Sequence, residues 1–331
     1  MLDSPAGEVL GRIATRQLHA AASAARKFER SQEAKDLHAF RVAIRRLRSL
    51  QGAYRPWMGP SAGRKVRRRL RDLTRSTNAA RDLDVQIGWL QAERERLPPG
   101  ARAGATARLR RLRSQRRAAY DALAESLPAD FRRASRTLRK RRQAGGKTTR
   151  ATFGSVYCAV SVTEAKTLLA AMPVLGIPGN PERVHVVRKR IRRLRYLVEP
   201  LRQELPEARA VVRILKDLQR SIGGMRDLRA FGTMLERAME RAPERDRGGL
   251  RAMAISVARR RAELLADLGP FRRPDGGPLQ PALTALRAAA GCKVSRGSAR
   301  SSGTGPRCRP GRSPSRAGRS RASTPATGRS A

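Results

Sequence analysis

Apolar positions recur every three or four residues along nearly the whole chain, with Ala, Leu and Arg the dominant types. No stretch alternates convincingly at period two, so the pattern predicts an all-α protein. Helix-stopping residues cluster at Arg55-Pro56, Gly59-Pro60, Leu97 to Gly100, Gly145-Gly146, Gly176 to Pro181, Pro206, Gly223-Gly224, Pro243 and Gly269-Pro270. These breaks delimit helices of roughly 15 to 25 residues, the size used in helical bundles. From Gly291 to Ala331 the chain is Arg, Ser, Pro and Gly with almost no large apolar residue and no acid, so 291–331 is expected to be a disordered basic tail.

Within this periodicity the chain repeats itself. HAFRVAIRRLRSL, His38 to Leu50, returns 147 residues later as HVVRKRIRRLRYL, His185 to Leu197, in the frame H-x-x-R-x-x-I-R-R-L-R-x-L. A second block follows each copy at an offset of 145: Arg64, Arg68, Arg71 and Arg75 match Arg209, Arg213, Lys216 and Arg220. The apolar Val66, Leu70 and Leu73 match Val211, Leu215 and Leu218, and the triplet Arg81-Asp82-Leu83 matches Arg226-Asp227-Leu228. Two blocks in the same order at nearly one offset indicate internal duplication, with half-repeats at about 7–142 and 150–290 of a 1–290 domain.

At 100° per residue, His38, Arg41, Arg45 and Arg48 fall within about 80° of one another, while Phe40, Ala43, Leu47, Leu50 and Tyr54 cluster on the opposite side. His185, Arg188, Arg192 and Arg195 repeat the basic front, although Arg190 stands where the first copy has Ala43. The second block adds another one-sided basic stripe to each half. Like charges at these spacings cost roughly 0.2 to 0.5 kcal/mol per pair, so a chain seeking only solubility would alternate signs. Apolar backs buried in separate bundles would leave the basic fronts free to face each other.

Charge sharpens the picture. Against 27 Asp and Glu stand 73 Lys and Arg, a formal charge of +46, which calls for an anionic partner. Aromatic residues make up 4% of the chain and offer few platforms for stacking bases, so composition favours phosphate contact over base reading. Arg suits phosphate oxygens through its planar, permanently charged fork. Of three histidines, His38 and His185 open the repeated motifs, and nearby Arg charge should disfavour their protonated form until an anion binds; His19 has no repeat partner. Asp82 and Asp227 are read as structural, placed near helix starts to orient a stripe Arg. Three cysteines without a C-x-x-C pair point to neither a disulfide framework nor a zinc module, and suit a reducing cytoplasm. No metal or cofactor is implied. No uninterrupted apolar run of about 18 residues stands out, so no membrane insertion is expected.

The two motif copies, each followed by a helix ending in an R-D-x-D-like turn, resemble the CHAD family, the conserved histidine α-helical domains. The resemblance covers about residues 7 to 290. It implies two pseudo-symmetric helical bundles forming one domain with a central basic groove or pore that binds inorganic polyphosphate. The site it implies comprises His38, Arg41, Arg45, Arg46 and Arg48 with His185, Arg188, Arg192, Arg193 and Arg195. The following helices add Arg64, Arg68, Arg71, Arg75, Arg209, Arg213, Lys216 and Arg220. The second-half turn reads Arg226-Asp227-Leu228-Arg229, departing from Asp84 of the first. Many relatives carry a triphosphate-tunnel hydrolase domain marked by E-x-E-x-K; here the nearest string is Glu93 to Leu97, in helical context and without the lysine. The chain also lacks a phosphate-binding G-x-x-x-x-G-K-[ST] loop, so the expected activity is binding without catalysis, in the cytoplasm and at polyphosphate granules. The alternative is a nonspecific nucleic-acid binder using the same surface and tail. Protein partners are not specified.

Overall fold

The computed structural model describes residues 1–59, 63–97, 99, 102–143, 151–176, 181–273 and 276–292. The expected tail, from residue 293 on, lies outside the described residues, as do Pro60, Gly145-Gly146 and residues 177–180. The described chain is helical throughout its elements. The order is α1 (Ala6–Ser31), α2 (Ala34–Ala53), the one-turn α3 (Arg55–Met58), α4 (Arg64–Ser76), α5 (Asn78–Arg96), α6 (Arg102–Gln143), α7 (Phe153–Ala171), α8 (Pro181–Val198), α9 (Pro206–Glu240), α10 (Glu244–Asp267) and α11 (Leu279–Ala289), with short 3₁₀ turns after α7, α8 and α10.

Two helices far exceed the expected 15 to 25 residues, and α9 does so by running through a predicted break. α6 runs 42 residues through Pro128, and α9 runs 35 residues through Gly223-Gly224. Gly224 faces α10, where a Cβ would meet the Leu264 Cδ1 side-chain tip at 2.7 Å, and Gly223 is buried within the unbroken α9. In the first half the equivalent segment does break. Thr77, with φ −88° and ψ 2°, separates α4 from α5, and its side chain is used by Arg41. Asp227 therefore sits in mid-helix rather than near a helix start as the repeat suggested.

The repeat offset of 147 acts in space as a pseudo-twofold relation. Ala6 N–H donates to the Ala151 carbonyl at 3.0 Å, and its counterpart Phe153 N–H donates to the Ser4 carbonyl at 2.8 Å. Pro5 and Thr152, themselves counterparts, form an isolated antiparallel bridge at the centre of this exchange. Further in, where α2 packs on α8, Arg46 Nε donates to Glu199 Oε2 at 2.8 Å, while its counterpart Arg193 reaches the carbonyl of Gly52, the counterpart of Glu199, at 3.4 Å. The axis thus runs through the starts of α1 and α7 and between α2 and α8.

Two apolar cores result, and they do not follow the sequence halves. The larger takes Phe40, Ile44 and Leu47 of α2 together with Val187, Ile191 and Leu194 of α8. The backs of the two basic helices therefore share one core instead of burying in separate bundles. The smaller is built by α5, the start of α6, the end of α9 and α10, with Trp89 stacked on Phe231 at 4.2 Å. Glu93, buried in this region, accepts from Ser256 at 2.8 Å, Arg96 at 2.6 Å and Arg260 at 3.1 Å. The E-x-E-like string is thus a structural tie between α5 and α10.

Two sequence expectations change at α7. The segment Phe153–Leu175 is long and apolar enough to cross a membrane by length and composition, with mean hydropathy 1.4. Its Phe153, Tyr157 and Leu168 are nevertheless buried in the larger core, and its Glu164 pairs with Arg193 of α8. Cys158 of α7 is joined to Cys292 by a disulfide spanning 134 residues of sequence, where the cysteine spacing suggested unpaired thiols. Opening that loop with Cys158→Ser or with dithiothreitol is expected to cost about 2 to 5 kcal/mol. Thermal unfolding with and without reductant tests this; an unchanged melting temperature would contradict it.

Candidate functional site

α2 and α8 bury their apolar backs in a common core and cross at the pseudo-twofold axis, so their basic fronts meet there. Arg45 and its counterpart Arg192 stand at the crossing. Arg192 is pushed down to about 10 by burial and then by the charge of Arg45, with Tyr196 opposing and Arg188 and Arg48 adding to the repulsion. Arg188 is lowered by burial and then by Arg226 and Arg45, against Asp227. Arg48 is lowered by burial and then by Arg71, Arg75 and Arg45. Each guanidinium stays charged at neutral pH, and crowding like charges in this way is unfavourable in the free protein. The Nε atoms of Arg45 and Arg188 are buried and have no hydrogen-bond partner among the described residues.

The eighteen candidates divide into three groups. His38, Arg41, Arg45, Arg48, Arg71, Arg75, His185, Arg188 and Arg192 form one electrostatically coupled row, in which the charge of Arg45 reaches five of the others. Arg46, Arg193 and Arg195 are held by carboxylates: Arg46 and Arg195 by Glu199, at 2.8 and 3.4 Å, and Arg193 by Glu164 at 2.7 Å. Arg195 also lies over the Tyr196 ring, 4.6 Å from its centroid. Arg64, Arg68, Arg209, Arg213, Lys216 and Arg220 are exposed; Arg209 donates to the Arg202 carbonyl at 2.9 Å and Arg220 to Asp217 at 3.0 Å.

Three row members escaped the candidate set. Arg81 acts on His38 and Arg41, Arg226 acts on Arg41, His185 and Arg188, and Lys189 acts on His185. Arg81 and Arg226 open the matched Arg-Asp-Leu triplets, so the signal for both was present in the repeat.

Both histidines lie at the exposed rim of the row. Each titrates below the usual histidine range, through desolvation first and neighbouring guanidinium or ammonium charge second; Asp84 partly opposes this at His38. The folded protein therefore binds fewer protons at these sites than the unfolded chain. Their contribution to stability is complete above about pH 6.5 and diminishes as pH falls toward the folded-state values.

A family model of the CHAD domain matches residues 12–236 and 165–302. The chain belongs to the CHAD family. Its fold is similar to the crystal structure of the CHAD domain from the plant Ricinus communis, with a TM-score of 0.60 and 21% identity over 87% of this chain and 94% of that one. It is also similar to PptA from Streptomyces chartreusis, with a TM-score of 0.62 and 15% identity over 85% of this chain and 100% of that one. A search of curated proteins finds no match.

In this CHAD domain the two halves of the row are not equivalent. Arg41 is tied down: Nη1 donates to Thr77 Oγ1 and, at 3.3 Å, to the Thr74 carbonyl, while Nη2 donates to Asn78 Oδ1 at 3.0 Å. These bonds hold the corner between α4 and α5. At the second-half counterparts of Thr77 and Asn78 stand Ile222 and Gly223, which offer no side-chain acceptor, and α9 continues unbroken. Arg188 is thereby left to respond to solution. Arg41→Ala is expected to lose about 2 to 3 kcal/mol of stability, because buried acceptors lose a charged donor. Arg188→Ala should be neutral or slightly stabilising, since it removes a crowded cation. Parallel urea unfolding curves of the two variants check this, and equal losses would refute the asymmetry.

Proposed function

We propose that this CHAD domain binds inorganic polyphosphate along the row formed by His38, Arg45, Arg48, Arg71, Arg75, His185, Arg188 and Arg192, without catalysing its cleavage or transfer. The observation that carries the reading is the crowding of Arg45, Arg188 and Arg192 at the axis, partly buried and charged, with the acids at hand spent on flanking arginines. A linear anion without sequence fits a row of guanidinium groups repeated at regular spacing. Arg41 contributes field and position rather than free donors.

The proposed setting is cytoplasmic polyphosphate, including granules. The bonded pair Cys158–Cys292 removes the cysteine argument for that location, since disulfides are uncommon in reducing cytoplasm. The net charge of +46 equally supports nonspecific nucleic-acid binding, and the experiment must separate the two.

Long-chain polyphosphate titrated in excess duplex DNA should remain bound; displacement by DNA at matched charge would favour the nucleic-acid reading. With about eight charges neutralised on a flexible strand, log affinity should fall against log salt with a slope near −6. The double reversal Arg45→Glu with Arg192→Glu is expected to weaken binding by about 100-fold or more, and the same change at exposed Arg68 and Arg209 by only a fewfold. Affinity should also rise as pH is lowered from 7.5 to 5.5, because a bound anion raises the depressed histidines and takes up protons. That dependence should flatten in a His38→Ala, His185→Ala protein.

A further inference from the structure

A cavity of about 820 Å³ opens between α5, α6, α9 and α10, over the smaller core. None of the eighteen sequence candidates lines it. Its wall carries Arg108, Arg111, Arg226, Arg229, Arg237 and Arg241 and no carboxylate, and its floor is apolar, from Met234, Ala238 and Leu250. The Nε of Arg108 is buried and has no hydrogen-bond partner among the described residues, and Arg108 titrates below the usual range through burial and the nearby Arg111.

Arg229 ties this cavity to the departure in the repeat. In the first half the corresponding residue is Asp84, which is consumed internally: it accepts from Arg116 Nε at 2.9 Å and from Tyr120 Oη at 2.6 Å. The second half has exchanged that acid for a cation and turned the position into cavity wall. A charge reversal that adds a sixth guanidinium to this half-open wall, on which Arg226 is paired with Asp227 at 3.0 Å, increases self-repulsion in the empty protein. An anionic occupant would offset it. The volume lies in the range of small-molecule sites, and an apolar floor beneath a few convergent polar groups is their usual composition. Inorganic polyphosphate has no part that would gain from Met234 and Leu250.

We propose that this cavity binds an organic diphosphate, its two phosphates on the arginine wall and an apolar body on the floor. Guanidinium forks match the phosphate oxygens, and burying the hydrocarbon part supplies the discrimination against the free anion. The proposal is independent of polyphosphate binding at the axis, although Arg226 lies within reach of both sites.

Titration calorimetry on the full-length protein with geranyl diphosphate, inorganic pyrophosphate and geraniol tests it. Geranyl diphosphate should bind at least about tenfold more tightly than pyrophosphate, and geraniol more weakly still. Arg229→Asp, which restores the first-half acid, should weaken geranyl diphosphate by about tenfold or more. Ala230→Trp, filling the cavity from an exposed lining position, should do the same. Far-UV circular dichroism and retained polyphosphate binding show that both variants are folded. The Arg45→Glu, Arg192→Glu protein should keep its geranyl diphosphate affinity within a fewfold. Equal binding of pyrophosphate, indifference to Arg229→Asp, or loss of geranyl diphosphate in the axis variant would each overturn the proposal. Failure of the wild type to bind polyphosphate would touch only the function proposed for the axis.

Discussion

The reciprocal packing of α2 on α8 is the constraint from which the rest of this CHAD domain follows. Two copies of one motif meet so that Arg46 reaches Glu199 and Arg193 reaches the counterpart position, Gly52. That exchange fixes the residue before each of them, Arg45 and Arg192, at the crossing point. A pair of guanidinium groups driven together is unfavourable by itself, and the cost is met by the apolar side of the same helices. Phe40, Ile44, Leu47, Val187, Ile191 and Leu194 are almost fully buried, each contributing roughly 1.5 to 3 kcal/mol of transfer free energy. Burial on one face thus holds charge together on the other.

Duplication is faithful where it builds the axis and divergent where it builds sites. The exchange at Ala6 and Phe153, like that at Arg46 and Arg193, keeps counterpart to counterpart. Away from the axis, Thr77-Asn78 becomes Ile222-Gly223, which frees Arg188 from the anchoring that holds Arg41. Asp84 becomes Arg229, which turns an internal hydrogen-bond acceptor into a wall cation. Each change removes a local bond from the second half and leaves a guanidinium available there.

The helical class, the repeat and the one-sided stripes were legible in the sequence because they are local. Spacing alone puts Val66, Leu70 and Leu73 on one face of α4, and all three are buried. Neutralisation of Arg46 and Arg193 was not legible, since Glu199 and Glu164 lie on other elements far along the chain, where a carboxylate carries no periodic mark; the Arg195–Glu199 pair, at i,i+4, lay within reach of spacing alone. Helix length was misjudged at Gly223-Gly224 for a related reason: glycine punctuates a helix in isolation, but here the pair lies inside α9, with Gly223 buried and Gly224 facing Leu264 of α10. The sharing of one core by both halves likewise depends on tertiary packing, as does the pairing of Cys158 with Cys292.

The lengths of α6 and α9 have a mechanical consequence. Each passes from one core into the other: α6 from Leu109 and Leu112 to Tyr120 and Leu138, α9 from Val211 and Leu218 to Leu228 and Leu235. At 1.5 Å per residue they are struts of about 63 and 53 Å. Two unbroken struts anchored at both ends resist separation of the cores and oppose bending. The one joint in the parallel path is the α4–α5 corner at Thr77, and Arg41 bolts it. The domain is therefore a frame whose gauge is set by helix length and core packing, and under the proposed function that gauge decides which spacing of anionic charge fits the row.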